Sequence, residues 1–173
     1  ESIWNYFNVI SHSPYKNVLS SYNMPNCKWF EGAKLNYAEH LFRKAKNNET
    51  AIIFGNESEH IEKISWLQLK TKVTSLATYL KSIGVTKGDR VVAFIPNVPE
   101  ATIAFLAVNS IGAIWSSTSP DFGAESVVDR FAQIKPKVLI AVDGYQYNGK
   151  PYDKSDVVNK IVESLPKGSV SVI

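Results

Sequence analysis

The sequence is poor in cysteine and has no long apolar run. Its single cysteine, Cys27, excludes an intrachain disulfide framework, and a lone cysteine is more often a small apolar side chain than a nucleophile. No charged-then-apolar signal opens the sequence, and no apolar run approaches the about 18 residues that a membrane span needs. We therefore expect a cytoplasmic protein without a membrane partner.

The charges are nearly balanced and scattered. The chain has 19 Lys and Arg against 16 Asp and Glu, without the basic stripe typical of nucleic-acid binding. The histidines His12, His40 and His60 show no zinc-ligand spacing, and we expect His40 to lie in solvent on a helix surface. There is no Gly-x-Ser-x-Gly nucleophile elbow. We therefore expect neither a metal ligand nor a catalytic residue in this chain.

Both ends of the sequence lack the marks of natural termini. The first residue is Glu1 rather than methionine, and the last, Ile173, lies in a strand-like run. We expect the chain to be an incomplete piece of a larger enzyme, with the rest of the same polypeptide as its first partner.

Residues 1–46 are predicted to form an N-terminal arm with a helix. The arm is irregular and dense in aromatic residues, which usually anchor a loop onto another surface. We expect Ser2 to cap a short helix and Asn36 to cap a second one running to about Ala45. The arm is expected to pack on the body of the domain, with Trp29 and Phe30 largely buried.

Residues 47–173 alternate between strand-like and helix-like segments. Strands are predicted at 51–54, 60–65, 90–95, 113–116, 138–142 and 169–173. Helices are predicted after Ser65 as far as Gly84, from Pro99 to about Ile111, and at 123–134 and 155–165. This rhythm is typical of an α/β fold, a doubly wound and mainly parallel sheet with helices on both faces.

Ligands of such sheets bind beyond the carboxyl ends of the strands, which selects three loops. The first is PNVPE at 96–100. The second, SSTSPDFG at 116–123, either receives an anion at a helix N-terminus or merely caps that helix through Ser119 or Asp121. The third, at 143–150, combines aromatic rings with a lysine, as a nucleotide site does, but by itself is more typical of a solvated surface loop.

A glycine-containing segment at 84–90 invites comparison with phosphate-binding loops. It lacks the Lys-Ser/Thr pair after its second glycine, and it precedes a strand where such loops precede a helix. We interpret it as a connecting turn.

Several stretches, in this order, resemble the acyl-CoA synthetase branch of the adenylate-forming enzymes. They are WFEGAKLNYA at 29–38, ISWLQL at 64–69, GVTKGDRVVA at 84–93, PNVPE at 96–100 and LAVNSIGAI at 106–114. Three more, SSTSPDFG at 116–123, DRFAQIKPKVL at 129–139 and VDGYQYNGK at 142–150, resemble members that activate acetoacetate. Acetyl- and propionyl-activating members have two arginines in the third loop, where this chain has Tyr147 and Lys150.

The resemblance implies an ATP-dependent acid–CoA ligase that acts on acetoacetate through an acyl-adenylate. It implies ATP, Mg²⁺ and CoA for the full-length enzyme, none of them held tightly by this chain, which lacks the family's phosphate loop and catalytic lysine. It also implies a modified site for the CoA nucleotide. The residues expected there are Tyr147, Asn148, Gly149, Lys150 and Phe122.

Two alternatives remain open at this point. One is a short-chain acyl-CoA synthetase for another acid, of the acetyl or propionyl type. The other is a non-catalytic nucleotide- or CoA-binding module of flavodoxin-like architecture.

Overall fold

The computed structural model describes residues 1–57, 61–165 and 170–172. The chain divides into two compact units, Glu1–Lys44 and Ala45–Ile173. The outer residues of two predicted strands, His60, Ser169 and Ile173, lie outside the described residues.

The first unit is organised around two short helices and a cluster of aromatic rings. Helix α1 spans Ser2–Tyr6 and α2 spans Tyr37–Phe42. Between them the segments before and after residue 25 run antiparallel, joined by hydrogen bonds such as those from Ser20 N to Lys28 O and from Phe30 N to Val18 O. Trp4 stacks on Phe30 with 4.4 Å between ring centroids, and Tyr15 packs edge-on against both.

Several predictions for the first unit need correction. Asn36 does cap α2, accepting a hydrogen bond from Glu39 N, but α2 ends at Phe42. Ser2 lies within α1 and caps nothing. Trp29 is 65% exposed, so the prediction of burial was wrong for it, while Phe30 is half-buried. Of these two residues, it is Phe30 whose ring packs with Trp4 and Tyr15.

The environment of His40 also differs from the prediction. His40 is half-buried rather than fully solvated, and its Nδ1 atom is buried without a hydrogen-bond partner.

The second unit contains the remaining helices and strands. An antiparallel hairpin of β1 (Thr50–Gly55) and β2 (Ile61–Ser65) leads into α3 (Trp66–Ser82). Ser65 caps α3 in a capping box with Gln68, and Gly84 follows with a left-handed φ of 86°. The order then continues through β3 (Arg90–Phe94), α4 (Pro99–Ser110), β4 (Ile114–Thr118), α5 (Ala124–Ile134), β5 (Val138–Ala141), β6 (Gly144–Tyr147), β7 (Lys150–Asp153), α6 (Ser155–Ser164) and β8 (Val170–Val172).

Four of these strands form the central sheet in the order β4-β3-β5-β8, with parallel pairing throughout. The crossover from β3 to β4 runs in one direction and that from β4 to β5 in the other. Right-handed crossovers therefore place α4 on one face and α5 on the opposite face. The predicted doubly wound, mainly parallel sheet is confirmed.

The core below α5 and α6 is apolar and closely packed. It is built from side chains that are almost completely buried: Val92, Phe94, Val127, Phe131, Leu139, Ala141, Val158, Ile161 and Leu165. Burial of each large apolar side chain contributes about 2–3 kcal/mol. This packing fixes the strands whose carboxyl ends carry the candidate loops.

The third predicted loop is instead a β-hairpin. Strands β6 and β7 pair antiparallel and are joined by Asn148 and Gly149. Both turn residues have positive φ angles, 51° and 69°, as a two-residue type I′ turn requires. The Asn-Gly pair was the local signal for this hairpin.

Candidate functional site

A crevice opens where the strand order of the central sheet reverses, between β3 and β5. It encloses about 490 Å³. Its walls come from the loops that follow β1, β3 and β5 and from the start of β6: Phe54, Gly55, Asn56, Glu57, Ile95, Pro96, Asn97, Val98, Glu100, Val142, Gly144, Tyr145 and Gln146. This is the position at which open parallel sheets bind ligands. The first and third predicted loops therefore meet at one site.

The hairpin beside this crevice has one face built from aromatic and basic residues. Tyr145 pairs with Tyr152, and Tyr147 pairs with Lys150, so these four side chains share a face. The rings of Tyr145 and Tyr152 stack at 5.4 Å, and the Lys154 ammonium lies 5.5 Å from the Tyr145 ring centroid. Flat rings beside cationic groups suit a purine that carries phosphates.

The second predicted loop is tied to this hairpin through Asp121. The Tyr145 hydroxyl donates to Asp121 Oδ1 at 2.6 Å, and Ser119 Oγ donates to Oδ2 at 2.8 Å. The Tyr145 hydrogen bond, followed by that from Ser119, lowers the pKa of the Asp121 carboxyl. Donation to the carboxylate raises the pKa of Tyr145 to about 12, because ionisation would lose the hydrogen bond.

The predicted capping role of Ser119 or Asp121 is therefore wrong. The N-cap residue of α5 is Gly123, and no side chain caps that helix end. Asp121 cannot cap it while both of its oxygens are directed at the two hydroxyl groups, and its effect is to fasten the loop to β6.

Phe122 lies one residue beyond this link. It is 40% exposed, and the Arg130 guanidinium sits 4.6 Å from its ring centroid. The ring, on the loop that Asp121 joins to the hairpin, and the cation, on α5, form a second exposed aromatic–basic pair.

The turn of the hairpin contains the other predicted site residues, Tyr147, Asn148, Gly149 and Lys150, and is exposed. Its central N–H groups donate to the carboxylate of Glu57, at 2.6 Å from Asn148 N and 2.7 Å from Gly149 N. These bonds, first that of Gly149 and then that of Asn148, lower the pKa of Glu57. A carboxylate thus occupies the two donors that the turn offers.

The segment at 84–90 lies at the amino end of β3, away from this site. Asp89 accepts hydrogen bonds from Thr86 N at 2.7 Å and from Lys137 Nζ at 3.0 Å. Arg90 donates to the carbonyl groups of Ile134 and Lys135, which end α5. These contacts hold the structure together, and the segment is the connecting turn that the sequence predicts.

Sequence reasoning missed Glu57, Tyr145, Tyr152 and Lys154. The tyrosines and Lys154 follow the alternation of a hairpin centred on Asn148 and Gly149, which the sequence does contain. No local signal identifies Glu57, because its partners are 91 and 92 residues away.

Comparison with known proteins defines the class. A profile of AMP-binding enzymes matches residues 39–173, and a profile of the acetyl-coenzyme A synthetase N-terminus matches residues 3–41. The chain belongs to the family of AMP-binding enzymes.

Within that family the chain is similar to acetoacetyl-CoA synthetases. It is 41% identical over 171 residues to the one from Rhizobium meliloti (strain 1021), covering 99% of this chain and 26% of that protein. It is 45% identical over 140 residues to the mouse (Mus musculus) protein, covering 80% of this chain and 21% of that one. The solved structure of acetoacetyl-CoA synthetase from Streptomyces lividans superposes with a TM-score of 0.91 at 39% identity, covering 98% of this chain and 29% of that one. The chain thus spans about a quarter of the length of these relatives.

Proposed function

We propose that the polypeptide containing this chain is an ATP-dependent ligase that converts acetoacetate and CoA to acetoacetyl-CoA. The observation that carries this proposal is the similarity to acetoacetyl-CoA synthetases over 99% of the chain, at 41% identity. The similarity includes the loop and hairpin of the candidate site. Another short-chain acid is the alternative substrate, and we propose the cytoplasm as the location.

The reaction that such enzymes perform has two halves. The acid carboxylate attacks the α-phosphorus of ATP, forming an acyl-adenylate and releasing pyrophosphate. The CoA sulfur then attacks the acyl carbon, and AMP leaves. Both halves depend on placing charged reactants correctly and on stabilising the charge that develops between them.

The part of this chain in the second half-reaction is to hold the nucleotide end of CoA. Tyr145 and Tyr147 of β6 offer ring faces to an adenine. Lys150 of β7 and Lys154, which follows β7, offer positive charge to phosphates. Phe122 of the neighbouring loop and Arg130 of α5 repeat that combination. These side chains fit a phosphorylated adenosine, since an aromatic face stacks on the base and an ammonium group attracts phosphate.

We propose that the full-length polypeptide also depends on Mg²⁺, which shields the phosphates of ATP. Among the residues that the structure describes, no group of three His, Cys, Asp or Glu side chains is arranged to hold a metal ion. Within the same residues, no helix is both long and apolar enough to cross a membrane.

The proposal is tested with the full-length polypeptide and a panel of short acids. Acid-dependent exchange of pyrophosphate into ATP measures the first half-reaction, and release of AMP on adding CoA measures the second. We expect acetoacetate to give the highest kcat/KM, and preference for acetate or propionate would overturn that assignment. Binding of CoA without any exchange would instead favour the non-catalytic module. The 173-residue chain alone is the control, and we expect no exchange from it.

A further inference from the structure

One carboxylate takes both free N–H groups of the hairpin turn. In a two-residue turn, the residue after the turn donates back across it, which leaves the N–H groups of the two central residues without a partner in the ladder. Here Asn148 N and Gly149 N donate to separate oxygens of Glu57, at 2.6 and 2.7 Å. Because each carboxylate oxygen accepts one of these hydrogen bonds, Glu57 restrains the turn backbone at two adjacent N–H groups.

Glu57 reaches the turn from a different part of the fold. It follows β1, in the connection to β2, and so belongs to the antiparallel hairpin rather than to the central sheet. Glu57 also lines the crevice at the reversal of strand order, as do Tyr145 and Gln146 of the β6–β7 hairpin. The contact therefore closes one side of the crevice by joining two hairpins.

The β6–β7 hairpin is consequently held at two points. At its base, Tyr145 is bound to Asp121, and at its tip the turn is bound to Glu57. A two-stranded hairpin is marginally stable by itself, so its orientation depends on such external contacts. Tyr147 and Lys150, which flank the turn, lie next to the point where Glu57 binds.

We infer that Glu57 is a positioning residue for the nucleotide end of CoA, because its carboxylate holds the turn that presents Tyr147 and Lys150. This inference rests on the proposed function of that site. Glu57 touches the turn backbone and acts on the ligand through it. Without the carboxylate, the turn loses this restraint. The Tyr147 ring and the Lys150 ammonium group are then no longer held in one arrangement.

The experiment compares Glu57→Ala and Glu57→Gln in the full-length enzyme. For Glu57→Ala we expect the KM for CoA to rise about tenfold, with kcat at saturating CoA and the KM for ATP unchanged. Glu57→Gln should give a smaller rise, because its amide oxygen still accepts one of the two hydrogen bonds. The dissociation constant of adenosine 3′,5′-bisphosphate, measured by calorimetry, should increase in the same order.

Two further variants separate the possible failures. Glu62→Gln removes an exposed carboxylate of the β1–β2 hairpin that lies outside the crevice lining, and it should change none of these constants. Lys150→Ala tests the nucleotide site itself. If Lys150→Ala weakens CoA binding while the Glu57 variants do not, the positioning role of Glu57 is wrong and the proposed nucleotide site stands. If neither Lys150→Ala nor the Glu57 variants weaken CoA binding, the proposed nucleotide site is wrong and this inference is wrong with it.

Two other results would overturn the inference. Tighter binding of CoA or of the bisphosphate by Glu57→Ala would mean that the carboxylate competes with phosphate for the turn. An equal loss in kcat and in the binding of every substrate, together with a lower melting temperature, would mean a general structural role.

Discussion

The Tyr145 hydroxyl lies 2.6 Å from Oδ1 of Asp121 and donates a hydrogen bond that joins the β6–β7 hairpin to the loop after β4. The bond thereby joins two segments that follow strands of the central sheet. The bond also couples the ionisation of the two groups, since each stabilises one protonation state of the other.

Asp121→Asn should therefore lower the pKa of Tyr145 from about 12 toward its ordinary value of 10.0. The reason is that an amide oxygen is a weaker acceptor than a carboxylate and no longer opposes a phenolate by its charge. The change is measured as the difference in tyrosinate absorbance between variant and parent during alkaline titration. Asp156→Asn, at an exposed acid of α6, is the matched control and should leave the curve unchanged.

Lys150→Ala in the full-length enzyme should raise the KM for CoA by about two- to fivefold and leave the KM values for ATP and acid unchanged. The effect is modest because an exposed charge in water contributes only ~0–1 kcal/mol. Steady-state kinetics with CoA varied measures it, with Lys72→Ala on α3 as a control of equal charge change. Unaltered CoA kinetics in a folded Lys150 variant would show that the turn is ordinary surface.

Asp89→Asn should destabilise the chain by about 2 kcal/mol near neutral pH, because a carboxylate that accepts several hydrogen bonds is lost. The backbone hydrogen bond from Thr86, followed by Lys137, lowers the pKa of Asp89 to about 2. A lowered pKa means that the stabilisation is complete above the ordinary value of 3.8 and disappears as the pH falls toward 2.

Urea unfolding of parent and variant at several pH values checks this window. The difference in unfolding free energy should be constant above about pH 4 and shrink below it. A difference that persists at pH 2 would contradict the assigned pKa.

Phe30→Ala should loosen the first unit more than Trp29→Ala does. Phe30 contacts both Trp4 and Tyr15, so its loss removes about 1–2 kcal/mol of packing. Trp29 is mostly exposed, and its replacement should cost less than about 0.5 kcal/mol. Limited proteolysis within residues 1–44 gives the comparison, and equal cleavage rates for the two variants would refute the assignment of the ring cluster.

The elements that sequence reasoning placed correctly carry local signals. Helix α3 is marked by Ser65 and Gln68 at its start and Gly84 at its end, and α4 by Pro99 in its first turn. Strand β3 is a continuous apolar run, as expected for a strand covered on both faces. Each of these signals acts within a few residues, so the sequence contains all of the information.

The family and the three candidate loops could also be predicted from the sequence, because the order and spacing of short motifs are visible without knowing which residues contact each other. The hairpin at 144–153 was accessible too, since Asn148 and Gly149 adopt positive φ at low cost. The prediction of a loop there missed the alternation of side chains along the two strands. That alternation places Tyr145, Tyr147, Lys150 and Tyr152 on one face.

The amino-acid sequence by itself thus determined the longer helices, the strands of the central sheet, the parallel α/β class and the family, all through periodicity, caps and motif order. Tertiary structure alone decided that Trp29 is exposed and Phe30 is not, that Asp121 binds Tyr145 instead of capping α5, and that Glu57 holds a turn 91 residues away. The physical reason is that a side chain's partner depends on where the sheet order and the crossovers place distant backbone, and no local preference encodes that distance.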